Sequence, residues 1–114
     1  KILNENKLKN TINIINTIYN NSDIIFLQEV RNNLLDLVPD TDKFRRNYHI
    51  IFPKKVSKNN QTSIVCLSKS KFGQFLKQED ITSVFTDKYN GKMGINPGDL
   101  CVIQLPAQKY ILVS

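Results

Sequence analysis

The chain has 114 residues, of which 40% are hydrophobic and 23% charged, a composition that argues against wholesale disorder and predicts a single globular domain or part of one. No apolar run approaches the roughly 20 residues of a membrane-spanning helix, and the first residues have neither an initiator Met nor the pattern of a secretory signal, so we expect the chain to begin inside a longer protein. The formal net charge of +6 predicts either a polyanionic partner or a solvated surface rich in lysine.

The first half of the sequence combines helix and strand patterns. Apolar residues recur at steps of three and four over 4–21, which predicts an amphipathic helix with one buried stripe. The continuous apolar run over 23–30 predicts a central strand that is covered on both faces. A short helix is predicted over 32–38, and Pro39 ends it.

The second half consists mostly of strand patterns. The predicted strands cover 48–52, 62–68, 81–85, 100–105 and 110–113, and residues 106–109 join the last two as a hairpin. A polar, basic loop is predicted over 53–61 and a long turn-rich loop over 87–99. This order predicts an α/β domain with a mixed sheet that has helices on one face and a second layer on the other.

The two cysteines, Cys66 and Cys101, lie in separate apolar runs. Neither their number nor their spacing is that of a disulfide framework or a zinc site. We therefore expect both thiols to be reduced, buried and structural, which favours an intracellular location, nuclear or cytoplasmic.

The apolar run over 23–30 ends in Gln28 and Glu29, two polar residues at a strand end. Ligands collect at the carboxyl ends of strands in open α/β sheets, and a carboxylate held there can bind a hard divalent cation while other metal positions stay open to water and phosphate. The alternative is a solvated surface glutamate in a strand-to-helix turn. The residues alone leave both interpretations open.

The phrase DIIFLQEV at 23–30, between an amphipathic helix and a short helix, resembles the Gln-Glu signature of the endonuclease/exonuclease/phosphatase superfamily. The segments 48–52 and 63–72 look like the family's next strand pair, and 100–105 with 110–114 look like its following hairpin. Family members are metal-dependent hydrolases of phosphate esters and include apurinic endonucleases, pancreatic-type deoxyribonucleases, inositol polyphosphate 5-phosphatases and neutral sphingomyelinases.

The resemblance implies a fold, a cofactor and two site residues. The fold would be half of a four-layer α/β/β/α sandwich, with residues 1–114 as the N-terminal portion of the domain. Glu29 would bind the catalytic Mg²⁺, with Mn²⁺ as a substitute, and Gln28 would orient it. The partners would be nucleic acid or another phosphate-ester substrate and the remainder of the catalytic domain.

The sequence also departs from the family pattern. The Asp-x-Asn and Asp-His motifs of the family's second half are absent, and the single histidine, His49, lies within a predicted strand, where we interpret it as structural. We therefore expect these residues alone to be inactive. A phosphoinositide phosphatase, a sphingomyelinase and a non-catalytic binding module with a degenerate site are the alternatives to a nuclease.

Basic residues flank the predicted strand over 48–52 on both sides. They could contact a phosphodiester backbone, or they could form a solvated edge that discourages strand-on-strand association. The candidate phosphate-binding residues are Arg45, Arg46, Lys54, Lys55 and Lys58.

Overall fold

A computed structural model describes residues 2–56, 61–88 and 96–114, and their side chains over 6–56, 61–86 and 96–114. The helices and strands follow one another as α1 (Ile2–Thr17), β1 (Ile24–Arg31), α2 (Leu34–Leu37), α3 (Lys43–Asn47), β2 (Tyr48–Ile51), β3 (Gln61–Ser68), α4 (Lys69–Phe72), β4 (Glu79–Asp80), α5 (Thr82–Lys88), β5 (Val102–Leu105) and β6 (Tyr110–Val113). The prediction of an α/β protein is confirmed.

The described strands form two antiparallel sheets of three strands each. Sheet A has the order β1-β3-β2, and sheet B has the order β4-β5-β6. The predicted mixed sheet is therefore wrong for the described strands, all of whose pairings are antiparallel. The central position predicted for 23–30 is also wrong, because β1 lies at an edge of sheet A and Phe26 is 45% exposed. The centre belongs to β3, whose residues 62–67 are all buried.

One apolar cluster fills the space between sheet A and the first three helices. Its buried members are Ile12, Ile15, Leu34, Val38, Phe44, Tyr48, Ile64 and Cys66. The hydroxyl of Tyr48 donates a hydrogen bond to the carbonyl oxygen of Ser22 at 2.6 Å, so the polar end of this buried side chain has a hydrogen-bond partner. Asp42 accepts a hydrogen bond from the N–H of Phe44 and caps α3.

A second apolar cluster lies between the two sheets. Its buried members are Ile51, Val65, Leu67, Cys101, Ile103 and Leu105. Alternate residues of β3 thus enter different clusters, as the period of two in a strand requires, with Ile64 and Cys66 on the helix side and Val65 and Leu67 on the side of sheet B. Among the described residues, helices α1 to α3 thus pack on one face of sheet A and sheet B packs on the other.

Several elements differ from their sequence prediction. The predicted strand over 81–85 is wrong, because residues Thr82–Lys88 form helix α5. The carboxylate of Asp80 accepts hydrogen bonds from the N–H and the hydroxyl of Thr82, which satisfies a donor at the helix start despite the β-branched composition that follows. Helices α3 and α4 were not predicted. Of the predicted loop over 87–99, positions 89–95 lie outside the described residues.

No helix among the described residues is both long enough and apolar enough to cross a bilayer. This agrees with the absence of a long apolar run in the sequence.

Candidate functional site

The candidate site is built on a β-bulge near the end of β1. Leu27 pairs with Ile64 and Val30 pairs with Thr62, so two residues of β1 lie opposite the single residue Ser63 of β3. Gln28 and Glu29 are the two residues that lie opposite Ser63, and we refer to them as the Gln28–Glu29 bulge. Glu29 has a backbone φ of 55°, in the left-handed region that residues other than glycine rarely adopt.

The apolar pattern around the bulge explains why the strand must have an extra residue there. Leu27 and Val30 both pack against the cluster on the helix side, although an odd separation would turn them to opposite faces of a regular strand. The bulge removes this conflict because it resets the alternation between the two residues. Packing of these two apolar side chains on one face thus accounts for the extra residue in β1.

The side chain of Gln28 connects the two sheets at this end. Its Oε1 accepts a hydrogen bond from the hydroxyl of Ser63 at 2.9 Å, and its Nε2 donates to the hydroxyl oxygen of Ser114 at 3.1 Å. Ser63 belongs to β3 of sheet A, and Ser114 directly follows β6 of sheet B and exchanges backbone hydrogen bonds with Cys101. Both ends of the Gln28 amide are therefore held.

The carboxylate of Glu29 is exposed and borders two cavities, of which the one toward sheet B is mainly polar and the other is mixed. One, of about 220 Å³, lies on the helix side and is also lined by Lys7, Thr11 and Gln61. The other, of about 240 Å³, lies toward sheet B and is also lined by Ser63, Gly98 and Asp99. Glu29 thus stands at a concave part of the surface with solvent access from two sides.

Asp99 is a second carboxylate that lines the same cavity as Glu29. It ends a turn that begins at Asn96, whose N–H donates to the Asp99 carboxylate at 3.2 Å. Gly98, within the turn, accepts a hydrogen bond from the N–H of Ser63 at 2.8 Å and has a φ of 93°, a conformation that glycine adopts without strain. The turn therefore brings Asp99 beside the Gln28–Glu29 bulge.

Sequence reasoning missed Ser63, Asp99 and Ser114 as neighbours of Gln28 and Glu29. One signal was present, because Ser63 is a polar residue in the buried run of β3 and must have a hydrogen-bond partner there. No spacing in the sequence links Asp99 or Ser114 to Gln28, since the approach of sheet B to sheet A determines both neighbours.

The oxygen donors beside Glu29 match the preference of a hard cation. Carboxylate, amide and hydroxyl oxygens line the cavity toward sheet B, from Glu29, Asp99, Gln61 and Ser63. Within the described ranges no three His, Cys, Asp or Glu side chains are grouped so that they could hold a metal ion. Glu29 and Asp99 would suit only a cation that, like Mg²⁺, keeps several waters and takes one or two carboxylates.

The candidate phosphate-binding residues separate into two groups at opposite ends of sheet A. Strand β2 begins at Tyr48, which pairs with Ser68 at the end of β3. Because the two strands are antiparallel, β2 then runs toward the beginning of β3, where Ser63 lies opposite Glu29. Lys54 and Lys55, which follow β2, therefore lie at the end that carries Glu29. Arg45 and Arg46, which precede β2, lie at the other end, and Lys58 lies outside the described residues.

Arg45 also differs from the two lysines in its contacts. Arg45 donates hydrogen bonds of 2.9 Å to the carbonyl oxygens of Leu35 and Val38, so its guanidinium holds the end of α2. Lys54 and Lys55 are exposed and line a cavity of about 310 Å³ on the other side of the Asn96–Asp99 turn, which Gly98 also borders. Of the four basic candidates that the structure describes, Lys54 and Lys55 thus lie at the same end of sheet A as Glu29.

The remaining titratable groups that the sequence singled out are structural. Nε2 of His49 lies 2.7 Å from the carbonyl oxygen of Gly73, away from the Gln28–Glu29 bulge. Cys66 and Cys101 are free and buried, as predicted. Burial, with a smaller contribution from neighbouring Cys101, raises the pKa of the Cys66 thiol to about 12. Burial and the charge of Asp80 raise the pKa of Cys101 to about 12.

Comparisons with protein-family models, with curated proteins and with solved structures find no match to this chain. The family suggested by the Gln-Glu phrase therefore stays a prediction.

Proposed function

We propose that the chain carries part of the active site of a Mg²⁺-dependent phosphoesterase of the endonuclease/exonuclease/phosphatase type, with phosphodiester bonds in nucleic acid as substrate. The observation that carries the proposal is the position of Glu29, an exposed carboxylate on a strained bulge at a strand end, beside a polar cavity that Asp99 also lines. Strained backbone of this kind clusters at functional sites, where a conformation that costs stability can serve binding or catalysis.

The layer order supports the sandwich that the resemblance implies. Helices pack on sheet A, and sheet A packs on sheet B, which corresponds to three consecutive layers of an α/β/β/α arrangement. In that arrangement residues 1–114 would be the N-terminal portion of the domain. The remainder of the catalytic domain would supply a fourth layer and the histidine and aspartate motifs that the 114 residues lack.

Glu29 would be the metal ligand of this chain, with Asp99 as the nearest candidate for a second carboxylate and Mn²⁺ as a possible substitute for Mg²⁺. When bound, the metal ion supplies neutralisation of charge on the scissile phosphate and its leaving oxygen. Gln28 holds the backbone that presents the Glu29 carboxylate, through its two hydrogen bonds to serine hydroxyls. The resemblance would place the group that activates the attacking water in the remainder of the domain, so we expect the chain alone to be inactive.

Nucleic acid is the preferred substrate class because cations accompany Glu29. Lys54 and Lys55 lie at the same end of sheet A as Glu29, beyond the Asn96–Asp99 turn, and the whole chain has a net charge of +6. A polyanion that places one phosphate at Glu29 could place a neighbouring phosphate near the two lysines.

Binding of a fluorescent single-stranded oligonucleotide tests the proposal without a need for turnover. We expect Mg²⁺ to strengthen binding about 10-fold in the native chain, because the ion joins carboxylate to phosphate. The variant Glu29→Gln should lose this gain, while Glu79→Gln, which neutralises another exposed glutamate at a strand, should keep it. Fluorescence anisotropy at fixed ionic strength measures each affinity.

Other results would point elsewhere. If Mg²⁺ weakens binding equally in all three proteins, it acts only as a competing cation and the proposal is wrong. If binding is strong but indifferent to both Mg²⁺ and Glu29, the chain is a non-catalytic binding module. If the dependence on Mg²⁺ and Glu29 is found with phosphoinositide or sphingomyelin vesicles and not with the oligonucleotide, the substrate is a lipid phosphate ester.

A further inference from the structure

Ser63 lies opposite the Gln28–Glu29 bulge and is tied to it by its side chain. The residue is only 2% exposed. Its N–H donates to the carbonyl oxygen of Gly98 at 2.8 Å, and its hydroxyl donates to Oε1 of Gln28 at 2.9 Å, with the carbonyl oxygen of Asp99 at 3.3 Å as a second acceptor. A buried hydroxyl at this position thus links the bulge of β1 to the Asn96–Asp99 turn.

The bulge needs such support because Glu29 does not relax into an ordinary conformation. A left-handed backbone is unfavourable for a residue with a side chain, and it persists only where surrounding contacts determine it. Gln28 is the neighbour of Glu29 whose side chain is held by hydrogen bonds, at one end by Ser63 and at the other by Ser114. Glu29 itself is exposed.

We propose that Ser63 is a positioning residue for the carboxylate of Glu29 and acts through Gln28. The inference rests on the proposed function, in which that carboxylate binds a divalent cation. Ser63 would hold the Gln28 amide, and the amide would hold the bulge in the one conformation that directs Glu29 toward the cavities. Residues that orient a metal ligand in this way affect metal affinity by about 10- to 100-fold when they are replaced.

The variant Ser63→Ala removes the hydroxyl and leaves the Gln28 amide held at one end only, by Ser114. We expect the dissociation constant for Mn²⁺, measured by electron paramagnetic resonance, to rise about 10-fold. We also expect the NOE between the amide and α protons of Glu29 to weaken, since this NOE is strong when φ is positive and the two protons are close. In a Gln28→Ala background Ser63→Ala should change neither quantity further, because the connecting side chain is gone.

Ser68→Ala is the matched control. Ser68 lies on the same strand at the opposite end, and its hydroxyl accepts a hydrogen bond from the N–H of Lys71 at 3.3 Å. Ser68→Ala should destabilise the protein about as much as Ser63→Ala does. The Glu29 NOE and the Mn²⁺ affinity should stay unchanged in Ser68→Ala.

Each outcome decides between the two proposals. An unchanged Glu29 NOE in Ser63→Ala would overturn the positioning role, and so would a Ser63→Ala effect that persists in full after Gln28→Ala. If the NOE weakens as expected but the native chain binds no Mn²⁺, the positioning role stands and the proposed metal site is wrong.

Discussion

The carboxylate of Asp80 accepts a hydrogen bond from the backbone N–H of Lys54, with 2.6 Å between nitrogen and oxygen, and this bond ties the segment after β2 to sheet B. The same carboxylate accepts the N–H of Thr82 at the start of α5 and the Thr82 hydroxyl. Asp80 therefore joins both sheets and a helix at the end of the molecule that carries Glu29. The contact also fixes the backbone from which the Lys54 side chain projects.

Replacement of Asp80 by asparagine is expected to destabilise the protein by about 1–2 kcal/mol near neutral pH, because one of its two acceptor oxygens becomes an NH2 group that cannot accept the hydrogen bond from Lys54 or Thr82, and the oxygen that remains has no charge. Partial burial alone would raise the pKa of Asp80, but the hydrogen bonds from Thr82 and Lys54 and the charge of Lys54 lower it below its ordinary value. A group with a lowered folded-state pKa stabilises the fold above its unfolded pKa, and this stabilisation is lost as the pH falls. Urea unfolding at several pH values should thus show the difference between the native chain and Asp80→Asn shrinking below about pH 4. A difference that is constant with pH would contradict this account.

The backbone strain at Glu29 gives a second prediction. Glycine adopts a φ of 55° without a steric penalty, whereas alanine does not. We expect Glu29→Gly to be more stable than Glu29→Ala by about 1 kcal/mol, and both to lose Mn²⁺ binding. Chemical denaturation measures the difference, and a glycine variant less stable than the alanine variant would show that the left-handed conformation is wrong.

The buried thiols are expected to be unreactive in the folded protein. With a pKa of about 12, Cys66 and Cys101 hold almost no thiolate at pH 8, and thiolate is the form that reacts. Iodoacetamide should modify neither residue in the native chain and both in urea, as mass spectrometry can record. Rapid modification without denaturant would contradict their place in the two apolar clusters.

The same thiols predict loss of stability in alkali. Their pKa is higher in the folded chain than the ordinary value of 9.0, so the unfolded chain ionises first as the pH rises. The stabilisation is present in full below about pH 9 and is lost as the pH rises toward about 12. Unfolding curves at pH 8 and pH 10 should show the lower stability at pH 10.

The separation of the basic residues predicts unequal effects on oligonucleotide binding. Neutralising Lys54 and Lys55 together should reduce the slope of log affinity against log salt concentration by about 1.4 for a single strand, since each phosphate contact contributes about 0.7. Neutralising Arg46, at the opposite end of sheet A, should leave the slope unchanged. Equal effects from both ends would indicate diffuse attraction by the net charge rather than a site at the end that carries Glu29.

The parts of the fold that local pattern determines could be predicted. Helices α1 and α2, strands β1, β2 and β3, and the hairpin of β5 and β6 lie where periodicity and turn residues indicated them. Helix α5 could not be predicted in this way, because Val84 and Phe85 favour a strand. The Asp80 carboxylate accepts a hydrogen bond from the N–H of Thr82 and so stabilises the start of a helix instead. The tertiary contact at this point is made by the Asp80 carboxylate, which also accepts a hydrogen bond from the N–H of Lys54.

The candidate site could be predicted only in part. Gln28 and Glu29 were recognised from their place at the end of an apolar run. The bulge that presents them was not, because it arises from the need to bury both Leu27 and Val30, and no glycine marks position 29. The neighbours Ser63, Asp99 and Ser114 depend on how sheet B meets sheet A, which no local pattern encodes.

The central claim is that Glu29 is a ligand for a divalent cation, and a Mn²⁺ titration followed by electron paramagnetic resonance tests it most directly. We predict one Mn²⁺ site in the native chain and in Glu79→Gln, displaced by Mg²⁺, and no such site in Glu29→Gln. Mn²⁺ binding that is equally strong in Glu29→Gln, or absent from the native chain, would contradict the claim.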